Sequence, residues 1–131
     1  MFTGMRGVFM VAAELAKRRY IVSPTSRSAA GADLLATDER CTRSFAIQVK
    51  TNAVVFSWFT VNKDTEKFSA PTYFYVLVNI RKDRTDFYVV PSEVVARNVT
   101  TFERKNSTWY GVALKSVEQY KDKWELFEKV S

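Results

Sequence analysis

The sequence predicts a single α/β domain with a central, mostly antiparallel or mixed sheet flanked by helices. Three observations carry that prediction. The chain has 131 residues, a length at which one domain buries a usable core. Apolar residues recur at helical spacing near both ends, while the middle alternates with the period of strands. A helix, a run of strands and then helices lack the regular alternation of a doubly wound fold, and no GxGxxG or GxxxxGK loop is present.

Each element has its own local reason. Residues 8–19 read as a helix, because Val8, Val11 and Leu15 share a face and Lys17, Arg18 and Arg19 suit its negative end. Residues 20–22 form a short strand, residues 23–30 a loop containing Pro24, and Gly31 leads into a strand over 32–37. A polar turn, 38–43, precedes a strand over 45–51. There Phe45, Ile47, Val49 and Thr51 point one way, and Ala46, Gln48 and Lys50 the other. Residues 54–61 and 73–80, rich in β-branched and aromatic side chains, are further strands, and 87–90 pairs with 73–80 through the turn 81–86. Ser92 is placed to cap a helix over 93–98, with Glu93 near its positive end. Ser116 and Gln119 match a capping box ahead of the stripe Val117, Tyr120, Trp124 and Phe127.

Composition narrows the function classes. With 47% hydrophobic and 26% charged residues, this is an ordinary globular chain whose folding should need no cofactor. The single Cys41 has no partner for a disulfide, which fits a reducing, cytoplasmic setting. The apolar stretch 8–13 ends at Glu14, too short to cross a membrane and wrongly followed for an export signal. A net charge of +6 favours an acidic partner, of which nucleic acid is the commonest. The absence of histidine removes Ser-His-Asp and Cys-His catalysis and HExxH zinc sites, so any hydrolysis would fall to carboxylates, a lysine and a divalent metal.

One set of residues fits that requirement. If 32–37 and 44–51 form an antiparallel hairpin with Thr37 opposite Ser44, then Asp33 lies opposite Gln48, and Lys50 shares their face. A one-residue slip would undo the arrangement. A carboxylate, an amide oxygen and a strand carbonyl are hard donors suited to Mg²⁺, and a neighbouring lysine can orient water or stabilise a phosphate.

The pattern Asp33, then Gln48-Val49-Lys50, resembles the PD-(D/E)XK, or restriction-endonuclease-like, nuclease superfamily, whose core is a strand-borne Asp followed by (Glu or Gln)-x-Lys on the next strand. "RGVFMVAAELAKRRYIVSPTSRSAAGADLLAT", "TYFYVLVNI" and "DFYVVPSEVV" are similar to segments of small bacterial Holliday-junction-resolvase-like relatives. The resemblance implies a three-layer fold and Mg²⁺-dependent cleavage of DNA, with Mn²⁺ as a substitute ion. It implies Asp33, Gln48 and the Val49 carbonyl as metal ligands and Lys50 as the catalytic lysine. It departs from the family at two places: Gln48 stands where Glu is common, and Gly7 is followed by Val8 where many relatives have an acid.

Other features carry weaker expectations. Arg27, Lys17 and Arg18 could meet DNA phosphates, although solvated basic residues are the commoner case. Glu14 is expected as a solvated helix-flank residue, and Phe56, Trp58, Phe59, Trp109, Tyr110 and Trp124 as core more often than as a stacking surface. A homodimer would suit cleavage of two strands, though no residue establishes it. Two readings compete with an active nuclease: a module that kept the fold and binds nucleic acid or protein without cleavage, and a structural subunit.

Overall fold

A computed structural model describes residues 1–26, 31–54 and 56–130. The chain runs α1 (Phe2–Lys17), β1 (Tyr20–Pro24), β2 (Leu34–Asp38), β3 (Ser44–Asn52), β4 (Trp58–Val61), β5 (Tyr73–Ile80), β6 (Thr85–Pro91), α2 (Ser92–Arg97), β7 (Val99–Arg104), β8 (Ser107–Ala113) and α3 (Leu114–Val117). Short 3₁₀ turns occupy Thr65–Lys67, Glu118–Tyr120 and Trp124–Lys129.

The central sheet has the order β1-β2-β3-β5-β6. β3 and β5 run parallel and the other neighbours antiparallel, so the sheet is mixed. A parallel pair needs a crossover connection, and here the crossover contains β4. That strand joins β8 and β7 in a separate antiparallel sheet of order β4-β8-β7.

Three layers result. On one face, Val11 and Leu15 of α1 and Trp124 and Phe127 pack on Ile47, Val49, Val76 and Val78. On the other, Phe59, Val61 and Val112 of the small sheet and Val94 and Val95 of α2 pack on Tyr75, Leu77 and Val90. β5 lies between the two cores and is buried from Tyr73 through Asn79, as expected of a strand covered on both faces. α1 lies very close to β3: a Cβ added at Gly7 would sit 1.8 Å from Oγ1 of Thr51.

The β2–β3 turn is fixed by Asp38. Its carboxylate accepts hydrogen bonds from Thr42 N (2.7 Å), Thr42 Oγ1 (2.6 Å) and Arg43 N (3.0 Å). The turn also places Cys41 at φ 57°. Those hydrogen bonds, led by the one from the Thr42 hydroxyl, lower the Asp38 pKa from 3.8 to about 2.

Several sequence expectations are corrected. α1 begins at Phe2 instead of residue 8, because packing of Gly7 on Thr51 outweighs the poor helix propensity of glycine. Ser92 does not cap α2: its hydroxyl is engaged with the backbone N–H and C=O of Ala70, and Pro91 holds the cap position. The capping-box helix is absent. Ser116 falls inside the four-residue α3 without a side-chain cap bond, and Asp122 at φ 55° interrupts the segment, so Trp124 and Phe127 reach the core from a 3₁₀ turn. The β7–β8 hairpin replaces the expected run of helices. Its Thr, Val and aromatic residues flank the Lys105-Asn106 turn, a strand signal the helix-first reading passed over.

Two outcomes follow. Gly7→Ala is expected to destabilise the protein by about 1–3 kcal/mol through overpacking against Thr51, measurable by urea denaturation. Because the Asp38 pKa is lowered on folding, its contribution is present above pH 3.8 and lost as pH falls towards about 2. Asp38→Asn should therefore flatten the acid limb of a stability-against-pH curve.

Candidate functional site

Asp33 stands at a bend just before β2, whose register with β3 runs from Thr37↔Ser44 to Leu34↔Ile47 and stops short of Gln48. The Asp33 N–H donates to the Ile47 carbonyl at 2.8 Å, one residue out of that register, so Asp33 and Leu34 both face Ile47 as in a β-bulge. There β2 stops, and a side chain takes over from backbone. Oδ2 of Asp33 accepts from the backbone N–H of Val49 at 2.8 Å and from the amide Nε2 of Gln48 at 3.1 Å. In a strand the N–H and C=O of one residue point the same way, so the Val49 carbonyl opens to this side of β3 as well.

Gln48 and Lys50 share a face with Tyr75 and Leu77, their partners across the parallel ladder. Burial pushes the Lys50 pKa down, and the nearby Asp33 charge opposes that shift. Tyr73 lies close by. Burial raises its pKa most, followed by Tyr75 and then by the negative charge of Asp33. The site thus combines a carboxylate with one oxygen already used, a neutral amide, a strand carbonyl and a lysine whose charged form is disfavoured.

Among the described residues no group of three His, Cys, Asp or Glu could hold a metal ion. The oxygens expected as donors are those of Asp33, the Gln48 amide and the Val49 backbone. All three are hard oxygens, and Mg²⁺ is commonly held through one or two carboxylates, with waters and substrate phosphates completing the shell. The donor chemistry is compatible with Mg²⁺, with a single carboxylate among the three.

The other expected residues lie elsewhere. Glu14 is tied to Arg18 at 3.0 Å and to Lys17 at 4.0 Å, and Val8 packs against the α1-side core. The guanidinium of Arg18 also lies over the Trp124 ring, 4.4 Å from its centroid. Lys17 and Arg18 lead into Tyr20, which pairs with Asp38 at the turn end of the hairpin, away from Asp33. Arg27 lies outside the described residues. Phe59 and Trp124 are core, Tyr110 is half-buried, and Phe56 is 47% exposed. Trp58, Phe102 and Trp109 meet on the outer face of the small sheet, where Gly111 leaves room for the two indoles.

One cluster escaped the sequence reading. The register aligns Asn52, Asn79 and Asp86 across β3, β5 and β6, at the same sheet end as Lys50. Asp86 is paired with Arg81 at 2.9 Å, Arg84 at 3.1 Å and Lys121 at 3.3 Å. Burial raises its pKa, but those three cations outweigh it and hold the carboxyl below its ordinary value. The signal was the Arg81-Lys82-Asp83-Arg84 run, which reads as an ordinary polar turn until the parallel pairing of β3 and β5 brings it to this end.

One solved structure decides the fold. Hjc, a Holliday junction resolvase from the hyperthermophilic archaeon Archaeoglobus fulgidus, superposes with a TM-score of 0.56, covering 88% of this chain and 93% of that one at 15% identity. This chain shares its fold with Hjc. This is the restriction-endonuclease-like architecture that the Asp33 and Gln48-Val49-Lys50 pattern resembled. No family model and no curated protein matches the sequence. Among the described residues, no helix is long and apolar enough to cross a membrane.

The site residues differ in what their loss should do to stability. Asp33→Ala leaves the Val49 N–H without its partner and should cost about 1–3 kcal/mol. Lys50→Met keeps the apolar stem and removes a half-buried charge, so stability should hold or rise. Chemical denaturation of both variants checks the contrast, and a large loss at Lys50 would count against it.

Proposed function

We propose that the chain is a divalent-metal-dependent endonuclease acting on DNA. The observation that supports this most is the Asp33 carboxylate bridging Val49 N–H and Gln48 beside the half-buried Lys50, on a resolvase fold. Asp33, Gln48 and the Val49 carbonyl would hold Mg²⁺, or Mn²⁺ in its place. The ion, when bound, supplies positive charge that activates water and neutralises a phosphodiester.

The chain's own groups do the rest. Asp33 is oriented by its two hydrogen bonds. Lys50, with its charged form disfavoured by burial, is suited to orient the attacking water or to meet negative charge developing on phosphorus. Hjc is a Holliday junction resolvase, so branched DNA is the first substrate to offer. Arg81, Arg84 and Lys121 place positive charge at the same sheet end for the flanking phosphates.

A second reading has its own observation. Asp33 is the one carboxylate in the donor set, with Gln48 neutral and Val8 turned into the core. This favours a module that binds DNA without cutting it. Titrating Mg²⁺ and Mn²⁺ against supercoiled, single-stranded and branched DNA separates the two. Under the nuclease reading, Asp33→Ala and Lys50→Ala each lower the cleavage rate by roughly 10²-fold or more, and Gln48→Glu lowers the metal concentration required. Cleavage indifferent to both alanine variants would overturn the site. Salt-sensitive binding with no cleavage under either ion would establish the second reading.

A further inference from the structure

Beside the candidate site lies a cavity of about 170 Å³. Its aromatic walls are Phe68, Tyr73 and Tyr75, with ring centroids 5.1 Å apart for Phe68 and Tyr73 and 5.5 Å for the two tyrosines. Its polar side is formed by Asn62, Asp64 and Thr65. The cavity adjoins the site through the sheet itself: Tyr75 is the ladder partner of Gln48, on the same face. Gly31, two residues before Asp33, lines the opening, and a Cβ there would be 3.5 Å from the Phe68 ring and 3.9 Å from the Tyr73 hydroxyl.

Size and chemistry select the ligand. A cavity of roughly 150 Å³ takes a benzene-sized ring, whereas sites for larger ligands begin near about 300 Å³. This space suits one flat ring system and no more. Asn62 Oδ1 is already used, accepting from Asp64 N at 3.0 Å and Thr65 Oγ1 at 3.2 Å. That leaves the Asn62 amide N–H groups as donors next to the Asp64 carboxylate as acceptor. A donor beside an acceptor, between aromatic walls, complements the Watson–Crick edge of a nucleobase. In a duplex that edge is occupied by the pairing partner, so the cavity can read it only on an unpaired nucleotide.

We propose that the Phe68–Tyr73–Tyr75 cavity receives one unpaired nucleobase of the DNA substrate, setting the adjoining phosphate against Asp33, Gln48 and Lys50. The assignment deepens the nuclease reading and rests on it for the identity of the polymer. It makes the enzyme selective for structures that expose a base, such as branch points, bulges and flaps.

The test uses Phe68→Ala and Asp64→Ala, both at exposed positions and therefore compatible with folding. A duplex bearing one unpaired 2-aminopurine and its fully paired counterpart are titrated with the full chain, without Mg²⁺ or Mn²⁺, reading fluorescence and affinity. The wild type is expected to prefer the unpaired site and to quench the 2-aminopurine by stacking. Each variant should lose about tenfold of that preference while binding the paired duplex unchanged. No preference in the wild type, or equal losses on both duplexes, would overturn the proposal. The two readings fail separately. Loss of cleavage in Lys50→Ala with neutral cavity variants would keep the nuclease and discard the base site, whereas selective binding by the cavity in a protein that cuts no DNA would do the reverse.

Discussion

The hairpin register between β2 and β3 is the constraint on which the site depends. Side chains alternate along a strand, so a shift of one residue would turn Gln48 and Lys50 towards α1 and bring Val49 to the other face. Two devices at opposite ends hold the register. Asp38 closes the turn by accepting three hydrogen bonds, and Asp33 ends the pairing by taking the Val49 N–H. The same aspartate thereby finishes the secondary structure and starts the candidate site. An N–H at the end of a hydrogen-bonded ladder has to find some acceptor, and here the acceptor is the Asp33 carboxylate.

Position in the sheet also sets the electrostatics. Lys50 lies on the central sheet's inner face, beside the strand buried on both sides, and its charged form is disfavoured there. Asp33 counters part of that cost without an ion pair of the kind that ties Glu14 to Arg18. At the same sheet end, Asp86 draws together Arg81, Arg84 and Lys121 and is outnumbered by them. A buried carboxylate thus gathers three cations at the Lys50 end of the sheet, with Asp83 also 3.9 Å from Arg84.

The elements that were legible in the sequence are those whose signal is local. Strand alternation over 45–51, the turn at 38–43 and the Thr37–Ser44 pairing were enough to bring Asp33 to Gln48, although not the out-of-register bond from Asp33 to Ile47. The features that were missed depend on contacts distant in sequence. Ser92 looks like a helix cap until Ala70 competes for its hydroxyl. Trp124 and Phe127 have helical spacing, but their burial against Phe45, Phe74 and Phe87 is met by a 3₁₀ turn instead. The cavity walls come from Phe68, Tyr73 and Tyr75, whose nearness to Asp33 arises only from the parallel pairing of β3 and β5.

That pairing has a consequence for how the molecule opens. β5 is the wall shared by both cores: Val76 and Val78 face α1, while Tyr75 and Leu77 face the small sheet. Neither layer can peel away without exposing one side of this strand, and β3, its parallel neighbour, carries the candidate site. The two faces are therefore bound into one cooperative unit, and the amides of β5 should exchange with solvent only through global unfolding. Gln48 and Lys50 sit on β3, hydrogen-bonded along its length to that strand, and share its protection.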